Sequence, residues 1–273
     1  MSGKHYVHGY SEREQIRLHD QANTLDELLH GDTRYPAGSH VLEAGCGSGA
    51  QTIILTRNNP ETRFTSVDIS AESLVHAKAL VDEAGLTNVE FRRADIFDLP
   101  FEDESFDHVF LCFVLEHLPN PVEALHRLKA VLKNRGTLTV IEGDHGSTYF
   151  HPRSDAASRA IQCQVDIQAR LGGNALIGRE LYPLVRSAGF EDVRVSPRMV
   201  YVDDSRPEWV EGFTRNTFSA MIEGVGPRAV EMGLIDPDTF RKGVADLHAT
   251  TEGGGVFVYT FFKAVALKDD QPA

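Results

Sequence analysis

From His40 to Gly143 short apolar runs alternate with amphipathic stretches so regularly that the alternation itself selects the fold class. HVLEAG reads as a strand, AQTIILTRNN as a helix, RFTSVDIS as a strand and AESLVHAKALVDEAG as a helix. VEFRRAD and FDHVFLCFV are two further strands, PVEALHRLKAVLKN is a helix, and GTLTVIEG is a fifth strand. Repeated βαβ units demand a mostly parallel sheet with helices on both faces, a doubly wound α/β fold. Gly85 and Gly136 stand just past two of the helices, where glycine ends a helix well. Before this core, residues 5–30 carry Ile16, Leu18, Ala22, Leu25, Leu28 and Leu29 near helical spacing, with a capping box from Ser11 to Glu14. After it, 147–171 and 206–250 read as helical insertions, RELYPLVRSAGF as a helix, and EDVRVSPRMVYV and GGGVFVYTFFKAVALK as closing strands. The chain thus divides into a helical cap (1–37), a nucleotide-binding core (38–145) and a remainder that completes the sheet and carries the insertions (146–273).

Composition narrows the partners. With 27 Lys and Arg against 40 Asp and Glu, the net charge of -13 opposes binding to nucleic-acid phosphates. No run of roughly 18 apolar residues is present, so no membrane span is expected, and the N-terminus has no apolar leader, which points to the cytoplasm. Three cysteines at unrelated spacings give neither a disulfide framework nor a metal pair, and the twelve histidines form no HExxH pattern, so no metal is expected. Nothing in the pattern is diagnostic of an interface; a homodimer stays open.

VLEAGCGSGAQT places Gly45, Gly47 and Gly49 between a strand and a helix, where backbone N–H groups and the helix start can approach a ligand. Gly45-x-Gly47-x-x-Ala50 also satisfies the dinucleotide fingerprint, so the loop alone does not choose a cofactor. Asp68 ends the next strand, about twenty residues on, where a carboxylate can accept both hydroxyls of an adenosine ribose; Ser70 is the better cap for the following helix. Asp95 ends the third strand, able to accept from an adenine amine while Ile96 packs on the ring. Glu43, two residues before the first glycine, adds a third acidic strand end and favours a ligand carrying positive charge over a pyrophosphate. Cys46 lies near a helix start, which activates thiols, but no His and Asp partners can be set beside it.

VLEAGCGSG, SVDIS, RRADIFDLPF, FDHVFLCFVLEHLPNP and LKNRGTLTVIEG together resemble the motif series of class I S-adenosylmethionine-dependent methyltransferases, over residues 38–143. LPFEDESFDHV and VLEHLPNP are similar to the small-molecule branch that includes ubiquinone and menaquinone methyltransferases, and HGYSEREQIRLHDQA is similar to its N-terminal cap. The resemblance implies a seven-stranded Rossmann-like sheet and S-adenosylmethionine as cofactor, leaving S-adenosylhomocysteine. It implies Glu43, Gly45, Cys46 and Gly47 around the methionine part, Asp68 and Ile69 at the ribose, Asp95 and Ile96 at the adenine, and Cys112 and Phe113 at the amino-acid end. Tyr10 then serves as a lid contact and Arg17 as a partner for the methionine carboxylate.

Methyl transfer from a sulfonium is an in-line displacement in which the protein supplies proximity; a base is needed only if the small-molecule acceptor must lose a proton. Among Glu116, His117, Glu142, Asp144 and His145 at the sheet edge, His145 is the preferred base and His117 the second, each with a local structural role as the alternative. Trp209, Phe213, Phe218 and Met221 would wall an apolar acceptor pocket or serve as ordinary core. The competing functions are an NAD(P)-dependent oxidoreductase, which lacks a Tyr-x-x-x-Lys pair, and a non-catalytic S-adenosylmethionine-binding module.

Overall fold

The computed structural model describes residues 12–269, with side chains from Gln21 onward. Seven strands form one sheet in the order β3-β2-β1-β4-β5-β7-β6. They are β1 (His40–Ala44), β2 (Arg63–Asp68), β3 (Val89–Arg93), β4 (Phe106–Cys112), β5 (Leu132–His151), β6 (Glu191–Val202) and β7 (Val256–Leu267). The first five run parallel, while β7 inserts antiparallel between β5 and β6. The winding reverses between β1 and β4, so the crevice at their carboxyl ends is the switch point where open α/β sheets bind ligands.

Helices α1 (Glu12–His30), α2 (Ala50–Asn58), α3 (Ala71–Glu83), α4 (Pro121–Val131), α5 (Asp155–Arg170) and α6 (Leu181–Ser187) cover the two faces. Adjacent residues of one strand enter opposite cores: Val41 and Phe110 pack with Leu25, Leu29 and Ile167, whereas Leu42 and Leu111 pack with Leu125, Leu128 and Leu181. That period of two, apolar on both sides, is what a sheet sandwiched between helices requires. Helix starts follow the local chemistry. Ser70 accepts from Ser73 N at 3.1 Å, Ser154 from Ala157 N at 3.0 Å, and Asn120 precedes Pro121 at the head of α4.

The insertion before β7 consists of α7 (Pro207–Trp209), a π-helix (Val210–Ser219), α8 (Ala220–Gly224), α9 (Gly226–Glu231) and α10 (Pro237–Ala249). In the π-helix Thr217 Oγ1 donates to the carbonyl of Gly212, five residues back, at 2.7 Å.

Three expectations are corrected. Residues 147–151 are not helical: β5 runs on to His151 and pairs Tyr149, Phe150 and His151 with Val258, Phe257 and Val256, so the helix starts only at Asp155. Two adjacent aromatics favour the pleated surface once a partner strand is present. Gly136 does not end α4, which stops at Val131; it lies within β5, where a Cβ would sit 2.8 Å from the backbone oxygen of Asp107, and Arg135 takes the positive φ of 61°. Gly85 does end α3, with φ 68°. The N-terminal apolar spacing gives one helix, α1; Ser11 of the expected capping box lies outside the described residues.

Candidate functional site

The glycine loop is pinned to the end of β2. Gly45 N and Cys46 N both donate to Val67 O (2.8 and 3.0 Å), and Gly47 N donates to Asp68 Oδ2 at 2.9 Å. All three glycines hold positive φ, but for different neighbours. A Cβ on Gly45 would lie 2.6 Å from Val114 Cγ2, and one on Gly49 would lie 2.9 Å from Ala77 Cα, so these two positions are closed by packing against the β4 end and α3. Nothing lies within 4 Å of a Cβ built on Gly47, so the loop is open to a ligand there.

Beneath the loop, Glu43 is 2% exposed and accepts from Thr52 Oγ1 (2.8 Å) and Ser66 Oγ (2.6 Å). Burial raises its pKa to about 7 against the lowering effect of those hydroxyls. The carboxylate therefore braces the loop from within the sheet, while the ligand-facing side belongs to the loop backbone. Asp68 is half-buried; Gly47 N and Ser70 N occupy one lone pair on each oxygen, and the other lone pairs stay open to hydroxyl donors. Burial raises its pKa, opposed by the N–H groups of Ser70, Gly47 and Ile69. Ile69 is 50% exposed beside it, a large apolar side chain with one face to solvent. Ala94 N donates to Asp68 O at 3.1 Å, which brings the β3 end alongside; there Ile96 is buried and Asp95 is exposed, accepting from Phe97 N at 2.9 Å.

Across the switch point, Phe113 takes a positive φ of 58° and donates its N–H to Ile141 O at 2.9 Å, turning the chain out of β4. Glu142 is fully buried, and its Oε1 accepts from Val114 N (3.0 Å) and Leu115 N (2.7 Å), capping the 3₁₀ turn Leu115–His117. Burial and the neighbouring Glu116 push its pKa well up. Burial likewise pushes up the thiols of Cys46 and Cys112, aided at Cys112 by the charges of Glu142, Glu43 and Glu116, so neither is an activated nucleophile.

His145 and His117 are both near this edge but in different settings. His145 Nδ1 lies 2.7 Å from Tyr259 OH, and its ring centre lies 6.1 Å from that of Phe218. His117 Nε2 is 3.6 Å from Glu116 Oε1, whose partner oxygen accepts from Gln168 Nε2 at 3.0 Å. Asp144 is gripped by Arg179 through two bonds of 2.7 and 2.8 Å. Phe213, Phe218 and Met221 lie in the same core cluster as Tyr259 and Phe261, and Trp209 packs against that cluster with Arg206 over its ring. Tyr10 and the side chain of Arg17 lie outside the described residues. Sequence reading missed Tyr259, Gln168 and Arg179. The alternation in VFVYTFF shows that Tyr259 faces inward, but nothing local names a partner 114 residues away. Among the described residues no group of three His, Cys, Asp or Glu could hold a metal ion, and no helix is long and apolar enough to cross a membrane.

A seven-stranded sheet with β7 reversed, a glycine loop at its switch point and a carboxylate at the β2 end define a Rossmann-like nucleotide-binding fold of the class I methyltransferase type. Residues 36–189, more than half of the chain, match the model of the methyltransferase domain, and the chain belongs to that family. It is 29% identical over 225 residues (82% of this chain) to a 37.1 kDa transposon protein of Streptomyces fradiae. It is 30% identical over 179 residues (62% of this chain) to an uncharacterized methyltransferase of Schizosaccharomyces pombe, and 34% identical over 110 residues (40%) to demethylmenaquinone methyltransferase of Listeria welshimeri. The chain spans 64% of the length of the first two and 47% of the third. Among solved structures, YcgJ of Bacillus subtilis superposes with a TM-score of 0.60 at 14% identity, covering 93% of this chain and all (100%) of that one. Phosphoethanolamine N-methyltransferase 2 of Haemonchus contortus, in complex with phosphomonomethylethanolamine and S-adenosylhomocysteine, superposes at 0.59 and 15%, covering 95% of this chain and 59% of its own. The cyclase SpnF superposes at 0.57 and 21%, covering 92% and 80%; the shared fold alone does not carry a reaction.

Proposed function

We propose that this protein transfers a methyl group from S-adenosylmethionine to a small-molecule acceptor in the cytoplasm. The observation that carries the reading is the open face of Gly47 tied to Asp68 at 2.9 Å, with the carboxyls of Glu43, Glu116 and Glu142 converging on Cys112 behind it. A ligand with an ammonium, a sulfonium and an adenosine ribose fits that donor set, whereas a pyrophosphate would meet carboxylates where it needs cations.

When bound, S-adenosylmethionine supplies a methyl group already activated on sulfur. The backbone of Gly45, Cys46 and Gly47 lies along the methionine part, and Phe113 and the Cys112 carbonyl meet the amino-acid end. Asp68 accepts the ribose hydroxyls beside Ile69, and Ile96 and Asp95 form the adenine face. Tyr10 and Arg17 belong to the same reading as lid contact and carboxylate partner. His145 is the group that takes a proton from the acceptor, with His117 second. A non-catalytic binding module shares all of this except turnover, and an NAD(P) enzyme does not share the preference for positive charge.

Asp68→Asn keeps the shape of the side chain and removes its charge. The expected result is a loss of about 1.5–3 kcal/mol in S-adenosylmethionine affinity, the cost of hydrogen bonds to a charged group, read by calorimetry on folded protein. An unchanged dissociation constant would remove the ribose assignment. His145→Ala should leave cofactor binding intact and lower the transfer of a labelled methyl group to the acceptor found by screening; unchanged transfer would return His145 to a structural role.

A further inference from the structure

We propose that Tyr259 is the positioning residue for His145, holding the imidazole in the tautomer whose Nε2 carries no proton. The proposal rests on the methyl-transfer reading and narrows its substrate class to acceptors whose nucleophile must shed a proton, above all hydroxyl compounds.

Three features fix the phenol. A Cβ at position 143 would collide with Tyr259 OH, so Gly143 is what lets the hydroxyl reach the edge of β5. The backbone N–H of Asp144 donates to that oxygen, and His145 Nδ1 lies 2.7 Å from it. The rings of Phe213, Phe218 and Phe261 hold the aromatic body, with centres 5.8, 5.5 and 4.7 Å away. Burial and the charges of Glu116, Asp144 and Glu142 keep the phenol protonated far above neutrality.

A protonated phenol that already accepts from Asp144 N–H has one lone pair and one O–H left. The carboxylates of Glu116, Asp144 and Glu142 attract the O–H, so the lone pair is what remains for the imidazole, and Nδ1 must bring the proton. Which nitrogen of a histidine carries the proton is set by the hydrogen bond of the other. Nε2 is then the basic nitrogen. Arg179, bidentate on Asp144, fixes the strand end from which both the Asp144 N–H and the His145 ring project. In the transfer, the acceptor's hydroxyl proton passes to Nε2 as an oxygen lone pair forms the new bond to the methyl carbon. The electron pair of the broken C–S bond stays on sulfur, and the imidazolium afterwards releases its proton to water.

The test is ¹⁵N NMR of histidine-labelled protein, with the His145 signals assigned by their loss in His145→Gln. Wild type should show neutral His145 as the Nδ1–H tautomer, and Tyr259→Phe should shift the ratio toward Nε2–H by about fivefold, the effect of one ordinary hydrogen bond. Tyr259→Phe keeps the ring and should bind S-adenosylmethionine as wild type does. A wild-type His145 in the Nε2–H form overturns the proposal, as does a Tyr259→Phe ratio equal to wild type; if that variant does not fold, the wild-type spectrum decides alone. Failure of S-adenosylmethionine to bind wild type would strike the methyl-transfer reading and leave the tautomer result standing.

Discussion

At the scale of single residues, the acidic side chains at the strand ends do different work. Glu43 is buried and braced by two hydroxyls, so its folded-state pKa of about 7 lies above the ordinary carboxyl value of 4.5. Between those two values the unfolded chain has lost the proton that the folded chain keeps, so this group's contribution to stability is full below 4.5 and is lost as pH rises through 7. Glu43→Gln removes the titration. The stability of the variant relative to wild type should therefore climb by about 3 kcal/mol between pH 4.5 and 7.5, read from urea midpoints. A difference that stays constant with pH would show that Glu43 titrates as if exposed. His30 has the opposite slope: buried with Nε2 2.6 Å from Gln51 Oε1, its pKa falls to about 4, so its contribution is present above 6.5 and lost toward acid. The difference measurement isolates Glu43 from it.

At the scale of elements, the loop between β1 and α2 separates packing from binding within three residues. Gly45→Ala drives a methyl group into Val114 at positive φ and should cost about 2 kcal/mol or more of stability. Gly47→Ala meets no neighbour, so it should cost only about 1 kcal/mol for its left-handed backbone while lowering S-adenosylmethionine affinity at least about tenfold, because the methyl group projects into the open face. Equal affinity of Gly47→Ala and wild type would show that the ligand does not approach there. This loop was legible in the sequence because strand, glycines and helix are contiguous. The alternation up to Gly143 was legible for the same reason. The bend of β5 onto β7 was not, since Tyr149 and Phe150 become strand residues only against Val258 and Phe257. Nor was the π-helix, whose i→i−5 spacing leaves no simple apolar period to read.

At the scale of the whole molecule, a buried lysine joins the two ends of the chain. Lys263 on β7 is 3% exposed, and its Nζ lies 2.6 Å from both Asp32 Oδ1 and Thr33 Oγ1, just past α1. Arg198 of β6 meets the other Asp32 oxygen at 2.5 Å. Burial lowers the Lys263 pKa, and Asp32 opposes that. Lys263→Met keeps the stem and loses the charge. Because Asp32 is half exposed and keeps Arg198, the expected loss is about 1–2 kcal/mol in urea unfolding at unchanged slope, less than for breaking a fully buried pair. No change would mean that α1 is held by its apolar face alone. Tyr259 and its bond to His145 were illegible for the same reason as this tie: each pairs residues more than a hundred positions apart, and only the closed sheet brings them together. The central claim, that the acidic switch point takes S-adenosylmethionine, is tested most directly by calorimetric titration of the purified protein with S-adenosylmethionine, S-adenosylhomocysteine and NAD in parallel. Saturable binding of the first two, with none of NAD, is the predicted result; binding of NAD alone would contradict it.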